Sequence, residues 1–308
     1  MLEVIVVKIK IGIPKSLLYY KYYDLWDTFF NELGCRVIYS PNSNKEILED
    51  GKNLVVDESC LAMKINMGHI KYLVDKCDYI LIPRTPCLKK DETTCTNFYA
   101  LYDLCANLFD VKILNYNIDV ERGETEKKGF MKVGLELGFK NKDIRKAYKK
   151  ALETSRYEAS KRVILNKRNL KKKDPLKILL VGHPYNVYDE LVGMPIIKFL
   201  ENENIEIIYA HQNDKYEHAY KKISKTLYWT FNKELVNGVV SYEKKVDGII
   251  LLTVFPCGPD SLVNEVIIGS VKKPIINIII DELNSQTGLE TRLESFVDIL
   301  ASSKGVIV

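Results

Sequence analysis

Short apolar runs alternate along the chain with stretches whose apolar residues recur every three or four positions, the signatures of strands and helices in turn. Residues 6–13 (Val-Val-Lys-Ile-Lys-Ile-Gly-Ile) predict a strand ending in Gly12-Ile13-Pro14. Leu18, Tyr22, Leu25, Phe29 and Leu33 mark one face of the helix that follows, and Gly34 ends it. Further strands are expected at Arg36–Tyr39, Tyr79–Ile82 and Val111–Leu114. Helices are expected over Asn42–Gly51, Leu61–Val74 and Asn97–Leu108, with a long polar loop over 84–95. Residues 121–173 form helices broken at Gly123, Gly134 and Gly138, and Lys171-Lys-Lys-Asp-Pro175 makes a hinge. The order then resumes with strands at Lys177–Val181, Ile205–Tyr209, Val246–Leu252 and Pro274–Ile280. Residues 218–235 are expected to be mostly helix, and a last helix carries Leu289, Leu293, Phe296, Val297 and Leu300.

Strands and helices in alternation predict an α/β protein with parallel sheets. The halves also match in register. Gly12-x-Pro14 pairs with Gly182-x-Pro184 and Pro86-Cys87 with Pro256-Cys257, and both Gly-to-Cys offsets are 75 residues. An internal duplication is therefore expected. The boundaries that follow are an N-terminal α/β domain over 1–120, a helical, basic connector over 121–175 and a C-terminal α/β domain over 176–308. Ligands of such sheets bind beyond the carboxyl ends of the strands, so two facing domains are expected to form a cleft with cysteines at its mouth.

Composition changes this picture little. A chain of 308 residues, 46% hydrophobic and 28% charged, is long enough for two cores. No apolar run approaches the length of a membrane span. The residues Met1–Lys10 lack a basic region and a small-residue cleavage site, so they are read as strand and not as a signal peptide. The net charge of +4 conceals 18 Lys and Arg against 8 Asp and Glu in residues 121–175. With few aromatics among them, these charges read as a solvated connector and not as a nucleic-acid surface. Seven cysteines without close pairing point to a reducing cytoplasm.

The cysteines do change it. Cys60 (Glu58-Ser-Cys-Leu61), Cys95 (Thr94-Cys-Thr-Asn97) and Cys257 (Phe255-Pro-Cys-Gly-Pro-Asp260) each lie in a polar or Gly/Pro stretch beside an apolar run or a helical pattern. Helix N-terminal amides there favour the thiolate. Three such thiolates from separate segments suggest an iron–sulfur or zinc site. The chain has no C-x2-C pair, which disfavours a zinc finger or ferredoxin-type site. Cys35, Cys77 and Cys105 begin or fill apolar patterns and are expected to be buried. Cys87 is left as a fourth ligand, a spare thiol or the repeat partner of Cys257. His69, on the helix after Cys60, and Asp260, in the first turn after Cys257, are the candidates for proton handling and hydrogen bonding around the site. His183 stands at a strand end, Lys64 and Arg84 are candidates for an anionic ligand, and Asp281-Glu282 closes the last strand.

Several of these runs occur together in one order: Lys10-Ile-Gly-Ile-Pro14, Glu58-Ser-Cys-Leu-Ala-Met-Lys64 with Gly68-His-Ile70, Thr94-Cys95, Val181-Gly-His-Pro-Tyr185 with Tyr188-Asp189, Phe255-Pro-Cys-Gly-Pro-Asp260 and Ile280-Asp-Glu282. In this the chain resembles the acyl-CoA dehydratase activase-related proteins, which are similar to the D-component (β-subunit) of 2-hydroxyacyl-CoA dehydratases. The resemblance implies two Rossmann-like or flavodoxin-like domains and a 4Fe–4S cluster held by Cys60, Cys95 and Cys257, with Cys87 a rival for Cys95. It implies an anaerobic, cytoplasmic iron–sulfur protein that takes a low-potential electron from an ATP-hydrolysing iron–sulfur activase. Its cluster would serve reduction, or dehydration of the acyl-CoA type, with a small-molecule substrate in the interdomain cleft. The partners expected are that activase, the substrate and a second copy in a homodimer, with no membrane and no nucleic acid. The rival readings are a non-catalytic electron-transfer or cluster-carrying module and a cluster-free two-lobed binder of a small molecule. This chain has Cys95-Thr96 where the family usually has Cys-Pro, and it is shorter than the dehydratase subunits.

Overall fold

The computed structural model describes residues 8–173, 175–213, 218–282 and 286–304. Residues 6 and 7 of the expected first strand, the Met1–Val7 segment before it and Asp174 of the expected hinge lie outside the described residues. By contact the chain divides into two units, Met1–Val55 with Ile65–Glu158, and Val56–Lys64 with Ala159–Val308. Residues 56–64, Cys60 among them, therefore go with the second unit, and residues 121–158 of the basic connector go with the first.

The first unit opens with β1 (Lys10–Ile13), α1 (Tyr19–Glu32) and β2 (Arg36–Tyr39). Leu25, Trp26, Phe29 and Phe30 form the buried face of α1. Gly34 ends it as expected, because a backbone at φ +79° suits a residue without Cβ, and its N–H reaches Asn31 O at 2.9 Å. The short α2 (Lys45–Lys52) is capped by Asn44, whose side chain accepts the Ile47 N–H. Then come α3 (Leu61–Leu73), β3 (Tyr79–Leu81), β4 (Arg84–Cys87), α4 (Asn97–Leu108), β5 (Ile113–Leu114) and β6 (Asn117–Asp119). Gly68 lets α3 lie against α2, since a Cβ there would meet Ile47 O at 1.8 Å. The main sheet is parallel with order β2-β1-β3-β5, and a second parallel pair joins β4 to β6. The β4 strand falls where the sequence suggests only loop. Its Arg-Thr-Pro-Cys run is polar and contains proline, yet Thr85 and Cys87 are buried.

Next are α5 (Glu126–Glu136) and α6 (Asn141–Leu170). Gly134 does not interrupt α5: it is buried against Ile144, which a Cβ would meet at 2.5 Å. Phe130 packs on Phe29 and Tyr116, so α5 belongs to the core of the first unit.

The second unit contains β7 (Lys177–Val181), α7 (Pro184–Val187), α8 (Met194–Asn202), β8 (Glu206–Tyr209), α9 (Thr230–Tyr242), β9 (Gly248–Val254), α10 (Gly258–Ser270), β10 (Ile275–Ile280) and α11 (Gln286–Lys304). All its strands are parallel, in the order β10-β9-β7-β8. Every residue of β7 and β9 is buried, which explains their unbroken apolar runs. The side chain of Asn166 on α6 caps the edge of β8, accepting from Tyr209 N–H at 2.9 Å and donating to Tyr209 O at 3.0 Å. Residues 219–222 form only a 3₁₀ turn, and the helix begins at Thr230, later than the pattern suggests.

Two parallel sheets in an α/β chain are what the alternation predicts. Each sheet also has the same order of strands, the first two in its unit adjacent and the later ones added on the other side of the first. The matched motifs do not occupy matched places. Pro86-Cys87 lies in β4, whereas Pro256-Cys257 leads into α10.

Candidate functional site

Cys60, Cys95 and Cys257 each stand at the start of an α-helix, whose first N–H groups have no partner within the helix. Cys60 immediately precedes α3, and its carbonyl accepts the N–H of Met63 at 2.8 Å and of Lys64 at 3.1 Å. Cys95 lies two residues before α4, with its carbonyl bonded to Phe98 N–H at 3.0 Å. Thr94 fixes that approach through a hydroxyl bond to Thr85 O at 2.6 Å. Cys257 is the N-cap of α10, and its carbonyl accepts from Ser261 N–H at 3.1 Å and Ser261 Oγ at 2.7 Å. All three are half-buried.

Two of them are joined through the main chain. The Leu61 N–H, the first of α3, donates to Phe255 O at 2.9 Å, two residues before Cys257. This bond brings the Cys60 and Cys257 segments together within the second unit. Cys95 belongs to the first unit. Among the described residues, no three His, Cys, Asp or Glu side chains are gathered so as to hold a metal ion.

The remaining thiols are placed differently. Cys35 and Cys105 are buried, and burial pushes their pKa values up to about 11 and about 12. Cys77 is half-buried, not buried as expected, yet burial still takes its pKa up to about 11; its Sγ donates to Leu73 O at 3.2 Å. Cys87 is buried in β4 and its Sγ donates to Lys89 O at 3.0 Å. A 4Fe–4S cluster needs thiolates at rigid, accessible positions. The donor chemistry of Cys60, Cys95 and Cys257 fits that need, because helix N-termini favour a thiolate and all three residues are only partly buried.

Asp260 occupies the first turn of α10 and is 4% exposed. It accepts from His183 Nε2 at 2.8 Å and Asn232 Nδ2 at 2.7 Å on one oxygen, and from Thr253 Oγ1 at 3.1 Å on the other. Burial pushes its pKa up, but the His183 charge and these three bonds outweigh that and hold the carboxyl below its ordinary value. An ionised carboxylate only accepts, so His183 Nε2 carries the proton in this pair. His183 stacks on Tyr185, with ring centroids 5.0 Å apart. His183 follows β7 and Thr253 lies on β9, so this network fills the point where strand order reverses in the second sheet. Asn232 and Thr253 carry no sequence signal of this role, because both are remote from His183 in the chain.

His69 is fully buried on α3, with Nε2 2.9 Å from Ser43 Oγ. Burial first, and Lys15 second, lower its pKa to about 3, so the ring is neutral. Lys64 does not present an open cation: its Nζ meets Glu282 at 3.1 Å. Arg84 is likewise engaged, by Asp103 and by the Tyr102 ring at 4.7 Å. No helix among the described residues is long and apolar enough to cross a membrane.

Among solved structures, ZnuA is similar at 11% identity, with a TM-score of 0.27 over 95% of this chain and 99% of that one. The laminin-binding protein Lbp of Streptococcus pyogenes is similar at 12%, with a TM-score of 0.28 over 96% and 100%. The UDP-GlcNAc 2-epimerase of Methanocaldococcus jannaschii is similar at 14%, with a TM-score of 0.22 over 96% and 92%. No curated protein sequence matches the chain. Residues 10–212 match the family described as CoA enzyme activase uncharacterised domain (DUF2229), a span that includes Cys60 and Cys95 and stops before Cys257. That span is more than half of the sequence, and the chain belongs to this family.

Proposed function

We propose that the protein is an iron–sulfur electron acceptor in which Cys60, Cys95 and Cys257 hold a 4Fe–4S cluster. The observation that carries this reading is the sorting of the thiols. Three stand half-buried at the starts of α3, α4 and α10, while Cys35, Cys87 and Cys105 are buried and Cys77 stands at no helix start. Membership of the activase-related family and the resemblance to dehydratase D-components support the same reading. On it, the donor is an ATP-hydrolysing iron–sulfur activase, and a three-thiol set leaves one iron open to a small substrate. When bound, the cluster supplies one-electron reduction, and dehydration of an acyl-CoA-type substrate is the reaction the resemblance favours.

The chain's own residues supply the frame. The bond from Leu61 N–H to Phe255 O fixes the Cys60 and Cys257 segments against each other. Asp260, bonded to His183, Asn232 and Thr253, fixes the first turn of α10 directly after Cys257. Lys64, four residues after Cys60, anchors the start of α3 to Glu282. His69, neutral and bonded to Ser43, holds α3 farther along.

Anaerobic reconstitution with iron and sulfide tests the reading. About four irons and four sulfides per chain are expected. Changing Cys60, Cys95 or Cys257 to Ala should abolish or sharply lower them, while Cys87→Ala should leave them in place. Full iron content in the Cys257→Ala protein would overturn the ligand set.

A further inference from the structure

The two thiols that the second unit brings together lie in segments of unusual charge. Residues 56–63, around Cys60, and 246–271, around Cys257, contain no Lys or Arg, although the chain has 45 of them among 308 residues. The nearest cations along these segments are engaged or remote. Lys64 is buried against Glu282, while Lys245 and Lys272 lie at the far ends of β9 and α10. Asp57, Glu58 and Glu265 are all exposed. A local excess of acid therefore flanks both thiols, in a chain whose net charge is +4.

Large apolar side chains are exposed on the same segments. Val56 is 68% exposed, Phe255 59% and Leu262 57%. Each lies within five residues of Cys60 or Cys257 in the chain. The bond from Leu61 N–H to Phe255 O holds the two segments together, and Ser59 N–H donates to Val56 O at 2.9 Å, folding Val56 back toward Cys60. Both segments belong to the second unit. β9 is wholly buried as far as Val254, and its apolar run then continues onto the surface with Phe255. Exposed apolar groups gathered inside a polar rim mark a surface that another molecule covers.

We propose that this face docks a protein whose contact surface is apolar in the middle and basic around its rim, with Phe255 as the anchor. An aromatic anchor within a charged rim is the ordinary build of a protein interface. The acids select the occupant. A second copy related by a two-fold axis would set the same acids against each other. An anionic membrane surface or a nucleic acid would be repelled. That the docked protein exchanges an electron beside Cys60 and Cys257 rests on the proposed function; the docking itself does not.

The test uses cytochrome c, a basic redox protein with lysines around an apolar haem edge, and the acidic cytochrome b5 as its counterpart. Calorimetric titration of the full-length, cluster-free protein should show saturable binding of cytochrome c at about 20 mM salt, weakened about tenfold or more at about 200 mM. Asp57→Lys, Glu58→Lys and Glu265→Lys combined should weaken it about tenfold or more and strengthen binding of cytochrome b5. Phe255→Ser should weaken cytochrome c binding about fivefold or more. Glu153→Lys, the same charge change on α6, should alter it by less than about twofold. No binding of cytochrome c, or binding unchanged in the charge-reversed protein or in Phe255→Ser, would overturn the docking face. In reconstituted, dithionite-reduced protein the rate of cytochrome c reduction should fall about tenfold or more on charge reversal. An unchanged rate would overturn the electron-transfer role of the face. Failure to take up iron would remove that role together with the cluster and leave the docking face to be decided by the titrations. Should the charge-reversed protein fail to fold, the salt dependence and Phe255→Ser still decide it.

Discussion

The two sheets reach the same topological point and furnish it in opposite ways. In the second unit the ends of β7 and β9 are closed by a polar network in which Asp260 accepts three hydrogen bonds. In the first unit the ends of β1 and β3 border a small, mostly apolar pocket in whose wall Asn66 Nδ2 and Trp26 Nε1 have no partner. Parallel strands with a reversed order make a crevice in both cases. What occupies it depends on whether the side chains there satisfy one another. The second unit spends its crevice on holding the start of α10, directly beside Cys257.

The sharpest way to break this contrast is to remove the centre of the network. Asp260→Ala leaves His183, Asn232 and Thr253 without their acceptor, and about 3–5 kcal/mol of stability should be lost. Urea denaturation at neutral pH measures this, and a loss under about 1 kcal/mol would show that the network is not what closes that crevice. In the first unit, Asn66→Leu removes only the acceptor of Ser16 and should cost about 1 kcal/mol in the same assay.

Acid should separate the units as well. The folded-state pKa of His69 is depressed from about 6.5 to about 3. Its neutral form is therefore favoured by folding, and its contribution is complete above pH ~6.5. That contribution falls as pH drops through the window down to about 3, because the unfolded chain takes up the proton first, and it is worth a few kcal/mol in all. The Asp260 carboxyl is also depressed, from an ordinary value of about 4. Its contribution is complete above that value and is lost only as pH falls through its lower folded value. Stability measured from pH 7 to pH 3 should thus decline in two stages. His69→Gln should remove the earlier one and Asp260→Asn the later one. A His69 ring that titrates near pH 6.5 by NMR in the folded protein would contradict the first stage.

The smallest effect concerns the thiols. Cys95→Ser, at a half-buried helix start, should change stability by no more than about 0.5 kcal/mol. Cys105→Ser places a hydroxyl in a fully buried site and should cost about 1–3 kcal/mol. Equal costs would erase the distinction between the two classes of cysteine.

Much of this was legible from pattern alone. The strands β7 and β9 read as apolar runs because their neighbours cover them, and α1 shows its buried face in its spacing. The polar stretches before α3, α4 and α10 marked Cys60, Cys95 and Cys257 as distinct from Cys35, Cys77 and Cys105. β4 was hidden, because Arg-Thr-Pro-Cys has neither the alternation nor the apolarity of a strand and gains its place by pairing with β6. The late start of α9 was hidden too, since the aromatic run before Thr230 resembles helix in spacing. Residues 56–64 carry no local sign that they join the second unit, a fact fixed by contacts such as Leu61 N–H to Phe255 O. The Asp260 network was half visible: Asp260 and His183 stood near strand ends, while Asn232 and Thr253 contribute through distances in sequence that no local pattern encodes. The small pocket at the ends of β1 and β3 could not be read at all, because side chains from five segments define it.

The central claim is that the three thiols at the helix starts form one ligand set. Low-temperature EPR of anaerobically reconstituted, dithionite-reduced protein tests it most directly. The account predicts the signal of a reduced 4Fe–4S cluster in the wild type and in Cys105→Ala, and its loss in Cys60→Ala, Cys95→Ala and Cys257→Ala. No cluster signal in the wild type, or one that survives Cys257→Ala, would contradict it.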